Sequence, residues 1–409
     1  MMKTPIHDIA DIVSRFSKDY ITQFGSVMLP SQKKAIFDIA TCQTVARGGR
    51  RFRCDDCDHS FWVWHGCRNR CCPKCHGGQI ARWLANREVE MLPCPYFHLV
   101  ATVPEELRPV FLKHQKFMYG LLLNIVSKEL ITLAREERFV GATPAVLAVL
   151  HTWNGRLGFH PHVHLLISGG GVTDSGLEWR EANASFLVPV KRLSKQIAKS
   201  LRKAIEKQRP ELLNEIPDKA WKANWCSFCV PYGRGEKAVL NYLSRYVFRM
   251  AVTNHRIVEV TETEVTFQYK DRKANTMLTE TVSGVEFLRR FLIHVLPKGF
   301  HKVRYYGLWH PSKRSVQMAA RVLLIFRKPT EKEVPLLTSD VPGSELLAES
   351  EKRYGECCPK CGSGRLQIIA ESERRLMPFH LIQLGMFDWI DAMTRGQPQS
   401  ADQHRENVD

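Results

Sequence analysis

The chain has 409 residues, an ordinary hydrophobic share of 44% and a net charge of +17, from 59 Lys and Arg against 42 Asp and Glu. That length accommodates two or three domains, and no apolar run approaches the ~18 residues that a membrane span needs. The opening stretch "MMKTPIHDIADIVSRF" lacks the apolar core of a signal peptide, which points to the cytosol, and basic residues spread along the whole chain suit a protein that lies along a polyanion and releases counterions on binding.

Residues 1–40 carry helical periodicity, with Pro30 placed at a first turn. A cysteine-rich segment fills 42–76, and "GGQIARWLANREVEML" resumes the helical pattern. From Pro95, "YFHLVATVP" reads as a strand and the stretch beginning "EELRPVFLKH" as one long helical region. "AVLAVLHTW" and "HVHLLIS" read as strands joined by the short loop "NGRLGFHP". A basic helix ("VKRLSKQIAKSLRKAIEKQ"), a strand ("NWCSFCVPY") and another helix ("GEKAVLNYLSRYVFRM") follow. "IVEVTETEVTFQYKD" alternates as a hairpin, and a further strand and helix come after it. Strands interleaved with helices and joined by short turns imply an α+β fold. The expected division is a helical and zinc-binding domain over 1–93, a sheet domain over 94–330, and a linker with a polar, CxxC-bearing tail over 331–409.

Seven of the thirteen cysteines lie between Cys42 and Cys75. Reduced cytosolic thiols at tight spacing indicate metal before disulfides. Cys54-x2-Cys57 and Cys72-x2-Cys75 stand fourteen residues apart, a two-pair spacing that suits one tetrahedral structural Zn2+. Cys67 and Cys71 could serve a second zinc, with Cys42, His59, His65 and His76 also nearby; the alternative is spare thiols. Arg68, Arg70 and Lys74, with Arg50, Arg51 and Arg53, sit beside Phe61, Trp62 and Trp64, a mixture that suits phosphate contact and base stacking. Cys226-x2-Cys229 falls in a strand pattern and reads as packing. Cys358-x2-Cys361 looks like half of a zinc ribbon without a clear partner pair.

His162 and His164 sit two apart in an apolar strand and so leave the same face of the sheet. If "AVLAVLHTW" pairs with that strand, His151 comes roughly opposite His164, and three imidazoles converge on one divalent ion. His160 and Asn154, in the loop, are weaker candidates. Gly169, Gly170 and Gly171 end the strand, either to admit a bulky polymer or as a flexible turn. In "VLNYLSRYVFR", Tyr242 and Tyr246 lie four apart on one helix face, with Arg245 and Arg249 at the same spacing. Beside a metal site, a phenol is a usable nucleophile toward phosphate. No G-x-S-x-G elbow suggests a serine hydrolase.

These motifs, in this order, resemble the HUH-type rolling-circle transposases with paired tyrosines, the insertion sequence 91 family. "CRNRCCPKC" is similar to the family's N-terminal zinc-binding domain, "LHTW" and "HPHVHLLISGGG" to its metal-binding strands, and "YLSRYVFRMAVTNHRI" to its twin-tyrosine helix. The resemblance covers most of the chain. It implies a central antiparallel sheet of the HUH-endonuclease type flanked by helices. It also implies a nickase and strand transferase in which Tyr242 or Tyr246 forms a 5′-phosphotyrosine on single-stranded element ends. His162 and His164 would then hold Mg2+ or Mn2+, with His151 as the inferred third ligand, in a cytoplasmic, nucleoid-associated protein. The family usually carries histidine at the position of Cys71 and often at that of Arg50; an arginine there cannot ligate, which tells against a second complete zinc site. Two other readings are open. One is a plasmid replication initiator or relaxase of the same chemistry, and the other is a zinc-dependent DNA-binding regulator without catalysis. No G-x-x-x-x-G-K-[ST] loop supports a helicase-fused version of the first.

Overall fold

Helical stripes and strand alternation resolve into eight helices and twelve strands among the described residues of a computed structural model, which are 8–75, 91–176, 178–234, 242, 246–247, 251–271, 274–326 and 357–373. The N-terminal stretch forms α1 (Ile9–Phe24), α2 (Pro30–Ala40), β1 (Gly49–Cys54) and β2 (Ser60–Trp64). Then come β3 (Pro95–Thr102), α3 (Arg108–Lys113), α4 (Gln115–Ala134), β4 (Thr143–Trp153), β5 (Phe159–Val172) and β6 (Trp179–Glu181). They are followed by α5 (Val190–Gln208), α6 (Lys219–Lys222), β7 (Cys226–Arg234), β8 (Ile257–Val260), β9 (Glu264–Lys270) and β10 (Met277–Ser283). The last are α7 (Gly284–Leu292), β11 (Val303–Gly307), α8 (Arg314–Phe326) and β12 (Leu366–Ser372). The expected long helical region after Pro104 is two helices, broken at His114. Most of the helix expected around the two tyrosines, and residues 77–90 of the one expected over 77–92, lie outside the described residues.

The chain divides into two compact units, each assembled from separated stretches. The first takes Met1–Ala81, Val252–Val295 and Glu345–Asp409, and the second takes Arg82–Ala251 and Leu296–Ser344. This differs from the contiguous division expected from the sequence, and burial explains why. The three-stranded β8–β9–β10 meander and α7 pack their Phe267, Phe287, Leu288 and Phe291 into the first unit. There α7 meets α1 so closely that a Cβ on Gly284 would stand 2.3 Å from the Phe16 ring. At the chain's far end, β12 pairs antiparallel with β1, so the supposed tail supplies a strand of a β12–β1–β2 ribbon. Helix α1 itself is capped by the Asp8 carboxylate, which accepts the Ala10 N–H at 3.0 Å, and it buries the stripe Ile9, Ile12, Val13, Phe16 and Tyr20.

The second unit is built on an antiparallel sheet in the order β11–β4–β5–β3–β7, with β6 paired onto β5. Period-2 alternation gives each central strand two different faces. Phe97, Leu99 and Ala101 of β3, Val146, Ala148 and Leu150 of β4, and Val163, Leu165 and Ile167 of β5 form the core with α4 and α5. Helix α5 contributes Leu193, Ile197, Leu201 and Ile205 at four-residue spacing and keeps its basic residues outward. Helix α4 is 20 residues long and apolar enough by length and composition to cross a membrane, contrary to the reading that no run comes near. Its Met118, Leu122, Leu123, Val126, Leu130 and Leu133 are instead buried in this core.

The three glycines do not end a strand or line a turn. They lie inside β5, buried. A Cβ on Gly170 would stand 2.7 Å from the Trp179 ring, and one on Gly171 would stand 2.3 Å from the Thr143 carbonyl oxygen. Their smallness therefore serves close approach of β4 and β6, not of a polymer.

Candidate functional site

The sheet face turned away from α4 and α5 carries four histidines, His98 of β3, His151 of β4, and His162 and His164 of β5. The first hairpin register differs from expectation. His151 pairs with His162, and Val149 pairs with His164, because a bulge between His151 and Trp153 shifts the two strands. The shift leaves all three side chains on one face, and one ring nitrogen from each of His151, His162 and His164 lies within 4.8 Å of the others. All three are buried.

Each of these imidazoles makes a hydrogen bond through one ring nitrogen. His162 Nδ1 donates to its neighbour's carbonyl, His160 O, at 2.7 Å, and His151 Nε2 donates to Tyr246 O at 2.6 Å. His164 Nδ1 lies 2.9 Å from His98 Nε2. A second hydrogen bond of this kind fixes the ring and its tautomer, as ligating histidines require. Burial, and then the nearby His162, pulls the His98 imidazole down to about 3, so it is neutral at ordinary pH. His98 was not singled out in the sequence, where a lone histidine in "YFHLVAT" forms no motif; its signal is a polar side chain at an alternate position of a buried strand. His160 instead faces Arg108 at 3.0 Å, and Asn154 Oδ1 accepts the Arg156 and Gly158 N–H groups of the hairpin loop, so these two serve the loop.

Tyr246 and Tyr242 stand over this face. The Tyr246 ring lies 4.2 Å from His164 and 4.7 Å from His98, between centroids, and is half-buried. The Tyr242 ring lies 4.9 Å from Tyr246 and 5.6 Å from both His98 and Tyr232. Tyr242 is fully buried, and its hydroxyl has no hydrogen-bond partner among the described residues. Burial pushes its phenol well above the ordinary range, and the neighbouring Tyr246 and Tyr232 add to that. Arg245 and Arg249 lie outside the described residues.

The cysteines assemble differently from the sequence expectation. Cys54 and Cys57 do not join Cys72 and Cys75. One group is Cys42, Cys67, Cys72 and Cys75, and the other is Cys54, Cys57, Cys358 and Cys361. A CxxC spacing fixes the two sulfurs of a pair but not which distant pair completes the tetrad; here strand pairing and the fold of α2 decide. In the first group Cys42 Sγ stands 3.4 Å from Cys75 Sγ and 3.5 Å from Cys72 Sγ, and Cys67 Sγ stands 3.7 Å from Cys75 Sγ. A tetrahedral Zn–S bond of ~2.3 Å implies sulfur–sulfur edges of about 3.8 Å, so the donors fit zinc, whereas a disulfide would need ~2.05 Å. Amide hydrogens of Cys67, Arg68 and Asn69 point at these sulfurs. Cys71 belongs to neither group; its N–H donates to Asn69 Oδ1. The sequence left a second site open on Cys67 and Cys71, with Arg50 telling against its completion; instead Cys67 joins the first group, and the second group is completed by Cys358 and Cys361 from far along the chain.

Around the first group, Arg68 is exposed at φ 56°, Arg70 is half-buried, and Lys74 pairs with Asp8 at 2.5 Å. On the ribbon, Trp62 and Trp64 stack at 4.8 Å. Cys229 packs against the second unit's core, where burial pushes its thiol up to about 12; the Cys226 side chain lies outside the described residues.

Comparison with known proteins identifies the family. The family described as "Putative transposase" matches residues 145–316, which contain His151, His162, His164, Tyr242 and Tyr246. The transposase zinc-binding domain of the IS91 type matches residues 12–103, which supports structural zinc on the cysteines there. The chain is 34% identical over 382 residues to "Putative transposase y4qJ" of Sinorhizobium fredii, covering 88% of this chain and 94% of that protein. It is 25% identical over 290 residues to the transposase for insertion sequence element IS801 of Pseudomonas savastanoi pv. phaseolicola, covering 67% of this chain and 69% of the other. No solved structure matches. With an α+β fold on an antiparallel sheet, a histidine face beneath two tyrosines and these relatives across most of its length, the chain belongs to the IS91-family transposases, with an N-terminal zinc-binding domain.

Proposed function

We propose that this transposase nicks and rejoins single-stranded DNA through a 5′-phosphotyrosine during rolling-circle transposition. The observation that carries the reading is the convergence of His151, His162 and His164 on one face, with the Tyr246 ring 4.2 Å from His164. A DNA-binding regulator would have no use for three converging buried imidazoles, each tied back by a hydrogen bond.

A divalent ion held by the three histidines would polarise the scissile phosphate and stabilise charge on its oxygens. Imidazole donors favour a first-row ion such as Mn2+ over Mg2+, which prefers oxygen. For His164 to offer its Nε2 lone pair, its Nδ1 must carry the proton and donate it to His98 Nε2. A neutral His98 protonated on Nδ1 makes that bond, so His98 is a positioning residue. Tyr246 takes the first step. Its phenolic oxygen forms a bond to phosphorus, the bond from phosphorus to the 3′ oxygen breaks, the phenolic proton leaves to solvent, and the departing 3′ oxygen takes one up. Tyr242, 4.9 Å away, serves a second cleavage while the first end is attached. Exposed Arg68 and half-buried Arg70 contact phosphate, Cys42, Cys67, Cys72 and Cys75 hold structural zinc, and the protein works in the cytoplasm at the nucleoid.

The test is an adduct assay. Full-length protein, Mn2+ and single-stranded DNA carrying an element end are resolved on a denaturing gel. A protein–DNA adduct that needs the metal and disappears in the Tyr242→Phe/Tyr246→Phe double variant is expected. Tight DNA binding by folded protein with no adduct would overturn the reading.

A further inference from the structure

We infer that Cys54, Cys57, Cys358 and Cys361 bind a second structural zinc ion, which fastens a strand from the far end of the chain onto the N-terminal ribbon. Only half of this tetrad lies within residues 12–103, where the zinc-binding domain matches. Cys54 Sγ stands 3.7 Å from Cys361 Sγ, and Cys57 Sγ stands 3.6 Å from Cys358 Sγ, close to the tetrahedral edge of about 3.8 Å for four thiolates on zinc. Both spacings are far too long for a disulfide.

The backbone on both sides is shaped for a metal. In "CPKCGSG" the Lys360 and Gly364 amides point at Cys358 Sγ and Cys361 Sγ, each at 3.4 Å. Gly362, at φ +76°, returns its N–H to the Cys358 carbonyl at 2.8 Å, and Cys358 N–H donates to Gly364 O at 2.9 Å. On the facing loop, Asp58 takes φ 55° and Cys54 N–H donates to His59 O at 2.9 Å. Amides aimed at sulfur stabilise thiolates, the form that ligates. The two loops close so tightly that a Cβ on Gly364 would stand 2.2 Å from Cys54 Sγ.

Strand pairing sets the register of the two loops. It runs from Cys54 opposite Leu366 to Gly49 opposite Ser372, and Asp55 N–H donates to Arg365 O. Apolar burial does not hold β12 in place, since Ile368 and Ile369 remain about half exposed at 48% and 47%. Cys358, by contrast, is 1% exposed and Cys54 is fully buried. A short strand without a core of its own needs another source of stability, and metal ligation supplies it.

The test measures zinc per chain and thiol protection on the full-length protein. Elemental analysis of purified protein should give two zinc ions per chain. The Cys358→Ser/Cys361→Ser variant should retain one, as should Cys67→Ser/Cys75→Ser. Alkylation followed by peptide mass analysis should find Cys358 and Cys361 protected in the zinc-loaded chain and reactive once a chelator is added. The exposed neighbour Cys357 should react in both states, as an internal control. One zinc per wild-type chain, or alkylation of Cys358 and Cys361 at the rate of Cys357 in zinc-loaded protein, would overturn the inference.

Discussion

His98 Nε2 and His164 Nδ1 lie 2.9 Å apart, with both rings buried and nearly parallel at 13°. On the mechanism proposed above, this bond selects which nitrogen of His164 carries its proton. Replacing His98 by Phe keeps a ring against the tyrosines and deletes only the acceptor. The expected result is a rise of about 10–100-fold in the Mn2+ concentration that half-saturates adduct formation. His98→Gln, which retains an acceptor, should recover part of the loss. A metal titration unchanged in His98→Phe would show that the bond does not set the tautomer.

The two tyrosines differ in burial and should differ in effect. Tyr246→Phe is expected to abolish the first adduct on a single-cut substrate. Tyr242→Phe should leave that adduct and suppress rejoining on a two-end substrate. Time courses of adduct and joined product separate these outcomes, and loss of the first adduct in Tyr242→Phe alone would reverse the order.

Asp38 is 2% exposed and ties the cysteine loop to α2. It accepts from Arg47 at 2.8 Å, from Lys34 at 2.5 Å and from Asn69 Nδ2 at 2.9 Å. Asp38→Ala leaves Arg47, itself 5% exposed, as an uncompensated buried charge. The expected loss is about 3–5 kcal/mol, read from denaturant unfolding of zinc-loaded protein.

Gly171→Val tests the reading of the glycine run. The added Cβ meets main-chain atoms of Thr143, which cannot swing aside. A loss of about 1–3 kcal/mol is expected, seen as a lower Tm. An unchanged Tm with impaired DNA binding would instead favour a surface that faces the substrate.

Glu286 gives an acid limb with a definite sign. Hydrogen bonds from Arg289 and then Arg290 hold its carboxyl down to about 2, from an ordinary 4.5. The unfolded chain therefore binds a proton at higher pH than the folded one. The contribution to stability is complete above about pH 4.5 and is lost as pH falls toward 2. Glu286→Gln should flatten unfolding stability over that window, and an unaltered acid limb would assign the dependence elsewhere.

The histidine pair was legible because a period of two puts His162 and His164 on one face whatever the fold around them. The pairing of His151 was legible only to within a register step, since the bulge before Trp153 is a detail of the loop. The cysteine partners were not legible, because two CxxC pairs close in sequence are indistinguishable from two that each find a different partner. The return of Val252–Val295 to the N-terminal unit was equally hidden, as hairpin and helix signals do not state which core they join. His98 needed the register of β3 beside β5 to acquire meaning.

Cys57 meets a cysteine 301 residues further along. A ribosome adding about 5–20 residues per second takes roughly 15–60 s to cover that distance. For most of that interval β1 is outside the ribosome with β2 as its available neighbour, because β12 has yet to be translated. Arg50, Arg51 and Arg53 line that open edge, and positive charge along an edge strand keeps other chains from adding to it. Charge on these three arginines would thus matter during synthesis as well as in the folded chain.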